Sequence, residues 1–472
     1  MKANEANGEV KPVETPDQRE TRRRAGKALR ESCPRSSHAD PGVGRDGRDP
    51  LALIEGSNKD RLENLLPIRF TRMAESAFAF YRGSAVVQAD DLTHTPSSGI
   101  TVQCCGDCHL MNFGGFATPE RTLVFDINDF DETLPGPFEW DVKRLAASFV
   151  LAARWLGFGK GDARKALQAL LASYRTSLVQ FAQMSVLDIW YNHVAFDEVL
   201  REYANEPAIL KRWRRTMEKA TTSTSDHVFH KITRMDDNRT RIVDEPPLLY
   251  HAAHGEHAID ETIIPFLKKY RLSLAPERQV LFDRYTLVDV AYKVVGVGSV
   301  GTRCYIVLLA GTQDDHLFLQ VKEARPSVLE GRAGPSPYDN NGARVVIGQR
   351  LMQTASDIFL GWSRGPQNRD FYVRQMRDMK IAPDLTDYTP RLLAEYGKLC
   401  GRVLARAHAK GGDAATIAGY VGKGTSFDDA IAEYAVAYAD QVEQDYESFK
   451  AATRSGRFPI ETLPSEIETA IR

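Results

Sequence analysis

Gly296-Val297-Gly298-Ser299-Val300-Gly301-Thr302-Arg303-Cys304-Tyr305-Ile306-Val307-Leu308-Leu309 is the stretch on which the fold turns. Its first six residues fit G-x-G-x-x-G, a spacing that serves two incompatible architectures. In a dinucleotide-binding fold a helix starts within the glycines and receives the pyrophosphate. Here the glycines run into β-branched and apolar sequence with no helix cap, which predicts a strand over Cys304–Leu309. A polar turn at Gly311–Asp315 and a second strand, Leu317–Val321, then lead to Lys322. A strand-end lysine by itself reads as snorkelling to solvent. After a glycine turn and two strands, the same lysine is placed to neutralise phosphates over which the glycines let the backbone close.

Outward from this stretch, residues 284–385 read as a β-rich small lobe. It would hold strands at Val294–Val295 and Phe371–Gln375 and a helix at Arg344–Ile358. Residues 386–472 read as helical, with Tyr396–Ala409 and Phe427–Phe449 the clearest periodic runs. Residues 51–283 read as a mainly helical lobe. Helical spacing begins near Asp60, strands are expected at Ile100–Cys104 and Thr122–Ile127, and several helices between Glu139 and Val199. A hairpin over 226–250, turning at Asp236–Asn238, precedes a helix at Ala258–Tyr270. Residues 1–50 are polar, rich in Arg, Glu, Pro and Gly, without periodicity, and read as a disordered tail. The sum is an α+β protein of two lobes.

The 472 residues carry 61 basic and 63 acidic side chains, a net charge of −2. That balance leaves no footprint for nucleic acid or for an anionic membrane. The longest largely apolar stretch, Leu145–Phe158, is interrupted by Arg154 and too short to span a bilayer. The N-terminus lacks a signal-peptide pattern, so the expected location is the cytoplasm. Six cysteines, unevenly spaced, are too few for a disulfide scaffold of this size.

A second constellation lies about 190 residues before the glycines. Cys105-Gly106-Asp107-Cys108-His109-Leu110-Met111-Asn112 is followed by Asp126-Ile127-Asn128-Asp129-Phe130-Asp131-Glu132. Acids crowded at a strand end repel one another unless a cation holds them, and magnesium, bound by one or two carboxylates plus phosphates, is the usual answer. An Asp five residues before an Asn on a loop suits base and metal ligand respectively, the pairing that phosphoryl transfer needs. Any one of these residues could equally cap a turn, but turn chemistry accounts poorly for the cluster. Cys105-x-x-Cys108-His109 also fits c-type haem attachment, which needs export. Zinc at Cys104, Cys105, Cys108 and His109 would require ligands converging on one point.

Gly106-Asp107-x-His109-x-x-Asn112 resembles the catalytic loop of aminoglycoside and choline kinases, with Cys105 where those enzymes carry histidine. Ile127-Asn128-Asp129-Phe130 is similar to their metal-binding segment, and Trp140-Asp141 to the Asp that heads a following helix. The helix ending at His408 resembles the one that precedes the catalytic loop in those kinases, and His408 itself reads as a packing residue. The glycine turn and Lys322 resemble a kinase small lobe, but come after the catalytic-like loop, so the resemblance implies a circularly permuted kinase-like fold. Most of the chain also resembles an uncharacterised bacterial family, DUF2252. Arg72-Met73-x-x-Ser76-x-Phe78-x-Phe80-x-Arg82-Gly83, Asn128–Thr133 and Lys293–Ser299 carry that likeness.

Together these residues imply transfer of a phosphoryl group from MgATP to an unidentified hydroxyl acceptor, a small molecule or a protein. Asp107 would orient or deprotonate the acceptor; Asn112 and Asp129 would ligand magnesium, with Asp126 or Asp131 as a second acid. Gly296, Gly298, Ser299 and Gly301 would cover the phosphates and Lys322 would hold them. No acid on the following helix is well placed to pair with Lys322: Glu323 and Glu330 are nearby, and the helix offers Gln349 and Gln353. Nucleotidyl transfer from the same site, a nucleotide-binding module without turnover, and a scaffold that binds no nucleotide are the alternatives.

Overall fold

The computed structural model describes residues 16–203, 206–222, 229–230, 232–236, 239–251, 256–294, 296, 298–312, 315–376 and 381–461. Helices α1 (Pro16–Ala28), α2 (Pro50–Ser57), α3 (Leu66–Ala74), α4 (Ala77–Gly83) and α5 (Ala85–Leu92) open the chain. Four short strands follow: β1 (Thr101–Cys104), β2 (Phe113–Ala117), β3 (Leu123–Ile127) and β4 (Leu134–Pro137). Next come α6 (Phe138–Trp155), α7 (Lys160–Phe181), α8 (Val186–Tyr191), α9 (Phe196–Glu202) and α10 (Pro207–Thr222). The sheet region holds β5 (Thr233–Asp236), β6 (Arg239–Ile242), β7 (Leu249–Tyr250), α11 (Glu256–Arg271), α12 (Pro276–Phe282), β8 (Thr286–Lys293), β9 (Cys304–Ala310) and β10 (His316–Ala324). It continues through α13 (Asn341–Met352), β11 (Gly361–Arg364) and β12 (Asp370–Gln375). Helices α14 (Pro390–Gly411), α15 (Ala414–Val421) and α16 (Ser426–Arg454) close the described chain.

The α+β class is observed. The main sheet is antiparallel, in the order β11-β12-β10-β9-β8-β7. Alternation sorts its side chains: Val307, Leu309, Leu319, Val321 and Phe371 pack with Phe266 and Tyr270 of α11. Ile306, Leu308 and Phe318 pack on the other face with Ile242 and Leu249. The sheet therefore draws β7 and its covering helices from before residue 284. A larger apolar core joins α6, α7, α14 and α16 to the β1–β4 region.

Two expectations need correction. The expected strand at Val294–Val295 lies earlier, as β8 ends at Lys293, and Val295 is outside the described residues. More importantly, residues 16–50 are not a disordered tail; residues 1–15 lie outside the described chain. Helix α1 lies against α15 so closely that a Cβ on Gly26 would stand 2.0 Å from Thr416 O, and one on Gly419 2.1 Å from Arg23 O. Arg30 donates to Tyr420 O at 2.8 Å and Gly419 O at 2.5 Å, and Arg35 to Val421 O at 2.9 Å, satisfying carbonyls at the end of α15. Arg48 bridges buried Asp91 and Asp445. These contacts use backbone and guanidinium groups, so apolar periodicity does not record them. Arg22, Arg23 and Arg24 do stay exposed on α1. Of the expected hairpin turn at Asp236–Asn238, Asp237 and Asn238 lie outside the described residues, as do Gln313 and Asp314 of the β9–β10 turn.

Candidate functional site

Strand β1 ends at Cys104, and the chain turns at once through Gly106, whose φ of +88° suits glycine. A Cβ there would lie 2.1 Å from Glu132 O, so the turn is pressed against the segment that follows β3. Asp141, in the first turn of α6, accepts from the backbone amides of Cys105 at 2.6 Å and Gly106 at 3.0 Å. His408 of α14, fully buried, faces Asp141 at 3.3 Å and Tyr174 OH at 2.8 Å, so it packs and positions. One turn along α6, Arg144 Nε donates to Asp107 Oδ1 at 2.6 Å. Helix α6 thus fixes both the backbone and the carboxylate of this loop. Asn112 turns its amide nitrogen onto Asp107 O at 2.7 Å.

The thiols of the loop point elsewhere. Cys104 Sγ donates to Pro137 O at 3.5 Å and Cys105 Sγ to Asp129 O at 3.4 Å. Burial pushes the Cys104 and Cys108 thiols up.

Strand β3 delivers the second set of acids. Asp126, the first of them, is fully buried across from Gly114. Arg406 Nη2 donates to both its oxygens, at 2.6 and 2.7 Å, and Thr354 N donates to Oδ2 at 2.7 Å. A carboxylate so committed is a structural ion pair, which corrects the expectation of Asp126 as a metal ligand. Asp129 and Asp131 face the other way. Asp131 accepts from Tyr372 OH at 2.7 Å and from Ser299 Oγ at 3.3 Å, and is paired with Lys322. Burial alone would raise Asp131, but Lys322 outweighs it and holds that carboxyl below its ordinary value. Asp129 has no such partner: burial, then Asp131 beside it, push its carboxyl up.

The glycine turn joins β8 to β9. Gly296 and Gly301 have φ of +66° and +86°. Arg72 donates to Gly296 O, Arg61 Nη1 to Val300 O at 2.5 Å, and Leu62 N to Gly301 O at 2.8 Å. Val300 is buried among Leu65, Ile68 and Leu62. The segment from Arg61 to Gly83, which carries the Arg72–Gly83 motif, therefore grips the turn from outside. Two strands later, near the end of β10, stands Lys322.

 Its cross-strand neighbours are Cys304 of β9 and Tyr372 of β12. Burial would lower the lysine's pKa, but Asp131, Tyr372 and Asp129 raise it.

One cavity of about 430 Å³ is lined by Asp107, Asn112, Asp129, Gly296, Gly298 and Ser299. Six of the sequence-predicted residues, drawn from both constellations, therefore share one space. Lys322 lies behind its wall, joined to it through Asp131. Gly301 is instead packed on Arg61, 3.2 Å from where its Cβ would be. A second cavity, of about 530 Å³, also reaches Gly296 and is bordered by Asn128, Lys293, Gln349, Gln353 and Met376.

Three features escape sequence reasoning. The partner of Lys322 is Asp131, 191 residues away, not an acid on the following helix. Glu323 is taken by Arg303 and Arg369, and Glu330 by Ser336 N. Arg144 has a usable signal, since it follows Asp141 at i+3 and so shares its helix face. The arginines that grip the glycine turn have none beyond the motif they belong to.

The chain matches, over residues 61–452, the family described as "Uncharacterized protein conserved in bacteria (DUF2252)". No curated protein and no solved structure matches it. The chain belongs to the DUF2252 family.

Proposed function

We propose that this member of the DUF2252 family is an ATP-dependent phosphotransferase of circularly permuted, kinase-like fold that acts on a hydroxyl acceptor in the cytoplasm. The observation that carries the reading is the meeting of two distant segments in one cavity. The Asp107–Asn112 loop and Asp129 lie beside the Gly296–Ser299 turn, with Lys322 paired to Asp131. Glycine turn, strand lysine, loop Asp and Asn, and a further Asp are the parts that phosphoryl transfer by kinases requires. No helix among the described residues is long and apolar enough to cross a membrane.

The donor set suits magnesium. Asp129 and Asn112 line the same cavity, burial and Asp131 push the Asp129 carboxyl up, and Asn112 donates with its amide nitrogen to Asp107 O, which leaves its amide oxygen for a ligand. One carboxylate and one amide oxygen, completed by phosphates and water, are what this ion takes. Bound MgATP supplies the phosphoryl group and neutralises charge on the phosphates. The chain's own residues do the rest. Arg144 holds Asp107, which orients the acceptor hydroxyl and accepts its proton as the new oxygen–phosphorus bond forms and the bond to the ADP oxygen breaks. The amides of the glycine turn serve the phosphates, and Lys322, paired with Asp131 behind the wall, adds positive charge to that side of the cavity. The second cavity, with apolar Met376 and Ile358 and the amides of Gln349 and Gln353, is where the base fits.

Calorimetric titration with ATP, with and without magnesium, tests this. Wild type should bind the nucleotide more tightly with magnesium, and Asp129→Asn should lose most of that dependence. A chain that binds no nucleotide in either condition rules the reading out.

A further inference from the structure

The cavity holds more positive charge than a nucleotide tail explains. Arg61, Arg69, Arg82 and Arg325 all line it, and none has a carboxylate within 4 Å among the described residues. Arg61, Arg69 and Arg325 are held by neutral oxygens instead, and Arg82 lies over the Phe78 ring. Arg69 donates to Asn58 Oδ1 at 2.8 Å and Gly83 O at 2.7 Å. Arg325 donates to Ser57 O at 3.1 Å and Lys59 O at 2.6 Å, and Arg61 to Ser57 O at 3.1 Å besides Val300 O. The Nε atoms of Arg69 and Arg82 are buried without a partner. So is Nδ1 of His109, a residue 5% exposed on the same cavity wall.

The acids on the wall do not balance these cations, because most are already engaged. Asp107 is paired with Arg144, Asp131 with Lys322, and Glu323 with Arg303 and Arg369. A fifth lining arginine, Arg332, has Asp90. Asp129 and Glu132 remain against four guanidinium groups, and Asp129 is the residue assigned to magnesium above. Buried charge without a partner is costly, and chains retain it where a ligand completes it. Guanidinium forks match phosphate and carboxylate oxygens in shape and charge. Burial and mutual crowding lower the pKa of Arg61, to about 10, which agrees with a cluster short of anions.

We propose that the acceptor is itself an anion, a small molecule that carries a phosphate or carboxylate group besides its hydroxyl, and that Arg82 and Arg325 receive that group. This rests on the phosphotransferase reading for the role of the cavity, though not for its charge. It separates this chain from kinases of cationic alcohols, whose acceptors these arginines would repel.

The test titrates the full chain, saturated with magnesium and a non-hydrolysable ATP analogue, with inorganic phosphate, acetate or choline by calorimetry. Phosphate or acetate should bind and choline should not; which anion binds more tightly identifies the acceptor's group. Arg82→Gln and, as a more exposed second variant, Arg325→Gln should each weaken the anion at least tenfold. Both should keep the analogue's affinity within twofold and melt cooperatively. Binding of choline in preference to either anion overturns the proposal. So does an equal loss of analogue and anion affinity in both variants, which would assign the arginines to the nucleotide. If the analogue does not bind but the anion does, and the variants abolish it, the anion site stands and the phosphotransferase reading falls. If no anion binds while the analogue does, the reverse holds.

Discussion

At Gly106 a side-chain carbon would meet Glu132 O at 2.1 Å, whereas at Gly296 it would stand 4.0 Å from the nearest atoms, those of Ser299 in the same turn. Both glycines have positive φ, and both belong to loops on the same cavity. The first loop is fastened from within: Asp141 holds its amides, Arg144 its carboxylate, and Arg344 of α13 donates to Asp131 O and Thr133 O nearby. Among the described residues the second is gripped mainly at its outer edge, by Arg61, Leu62 and Arg72, and meets the cavity side through Ser299, which donates to Asp131 at 3.3 Å. One side of the site is built for fixed geometry and the other for accommodation. Under the proposed function, the fixed side would supply the chemistry and the open side would close over phosphates.

The largest effect expected from this contrast is chemical. Asp107→Asn should lower turnover on the acceptor by about 10²–10⁴-fold, the range for loss of a general base, and leave MgATP affinity within about twofold. Steady-state kinetics and calorimetry read the two separately. If nucleotide affinity falls as far as turnover, the fixed loop is not dedicated to the acceptor.

Next in size is the cost of filling the tight turn. Gly106→Ala forces a left-handed conformation on alanine and drives its Cβ into a backbone oxygen, for a loss of about 2–5 kcal/mol in urea unfolding. Unfolding midpoints equal to wild type would show that this loop yields.

A third prediction probes α6, which supports the fixed loop. Lys143 on that helix is fully buried, its Nζ lacks a hydrogen bond, and it stands 4.8 Å from the centre of the Tyr434 ring. Burial pushes its pKa down to about 8 from 10.5. Between those values the unfolded chain binds more protons than the folded one, so stability should rise with pH through that window. The gain is on the order of 3 kcal/mol, and below pH 8 the lysine adds no pH dependence. Urea unfolding at pH 8 and pH 10, with Lys143→Met expected to flatten the difference, checks both sign and size.

The smallest effect belongs to the open turn. Gly296→Ala should cost only the left-handed conformation, roughly 1 kcal/mol, because its Cβ has room. A loss as large as that of Gly106→Ala would erase the contrast between the loops.

Much of this site is legible before any coordinates. The glycines lead into β-branched sequence, and Asp107, Asn112 and Asp129 keep a spacing that chemistry recognises. The α+β class follows from local periodicity, which is a property of neighbours in sequence. What periodicity does not carry is pairing at a distance. Asp126 and Asp129 look equivalent in sequence, yet β3 turns one towards Arg406 and leaves the other on the cavity. The partner of Lys322 and the arginines gripping the glycine turn are hidden for the same reason. Residues 16–50 mislead through composition, since their charges are counted as solvated when several of them hold buried carboxylates and helix-end carbonyls.

The backbone contact between α1 and α15 has a consequence for the order of assembly on the ribosome. Arg30 is made early, but the carbonyl it holds, Tyr420 O, comes 390 residues later. At typical synthesis rates that gap lasts about 20–80 s. Through that interval α1 lacks the α15 surface, and its two closest approaches, at Gly26 and Gly419, cannot yet form. Helix α1 can therefore complete its docking only after α15 has been made, so an early segment of the chain waits on one of the latest to close its contacts.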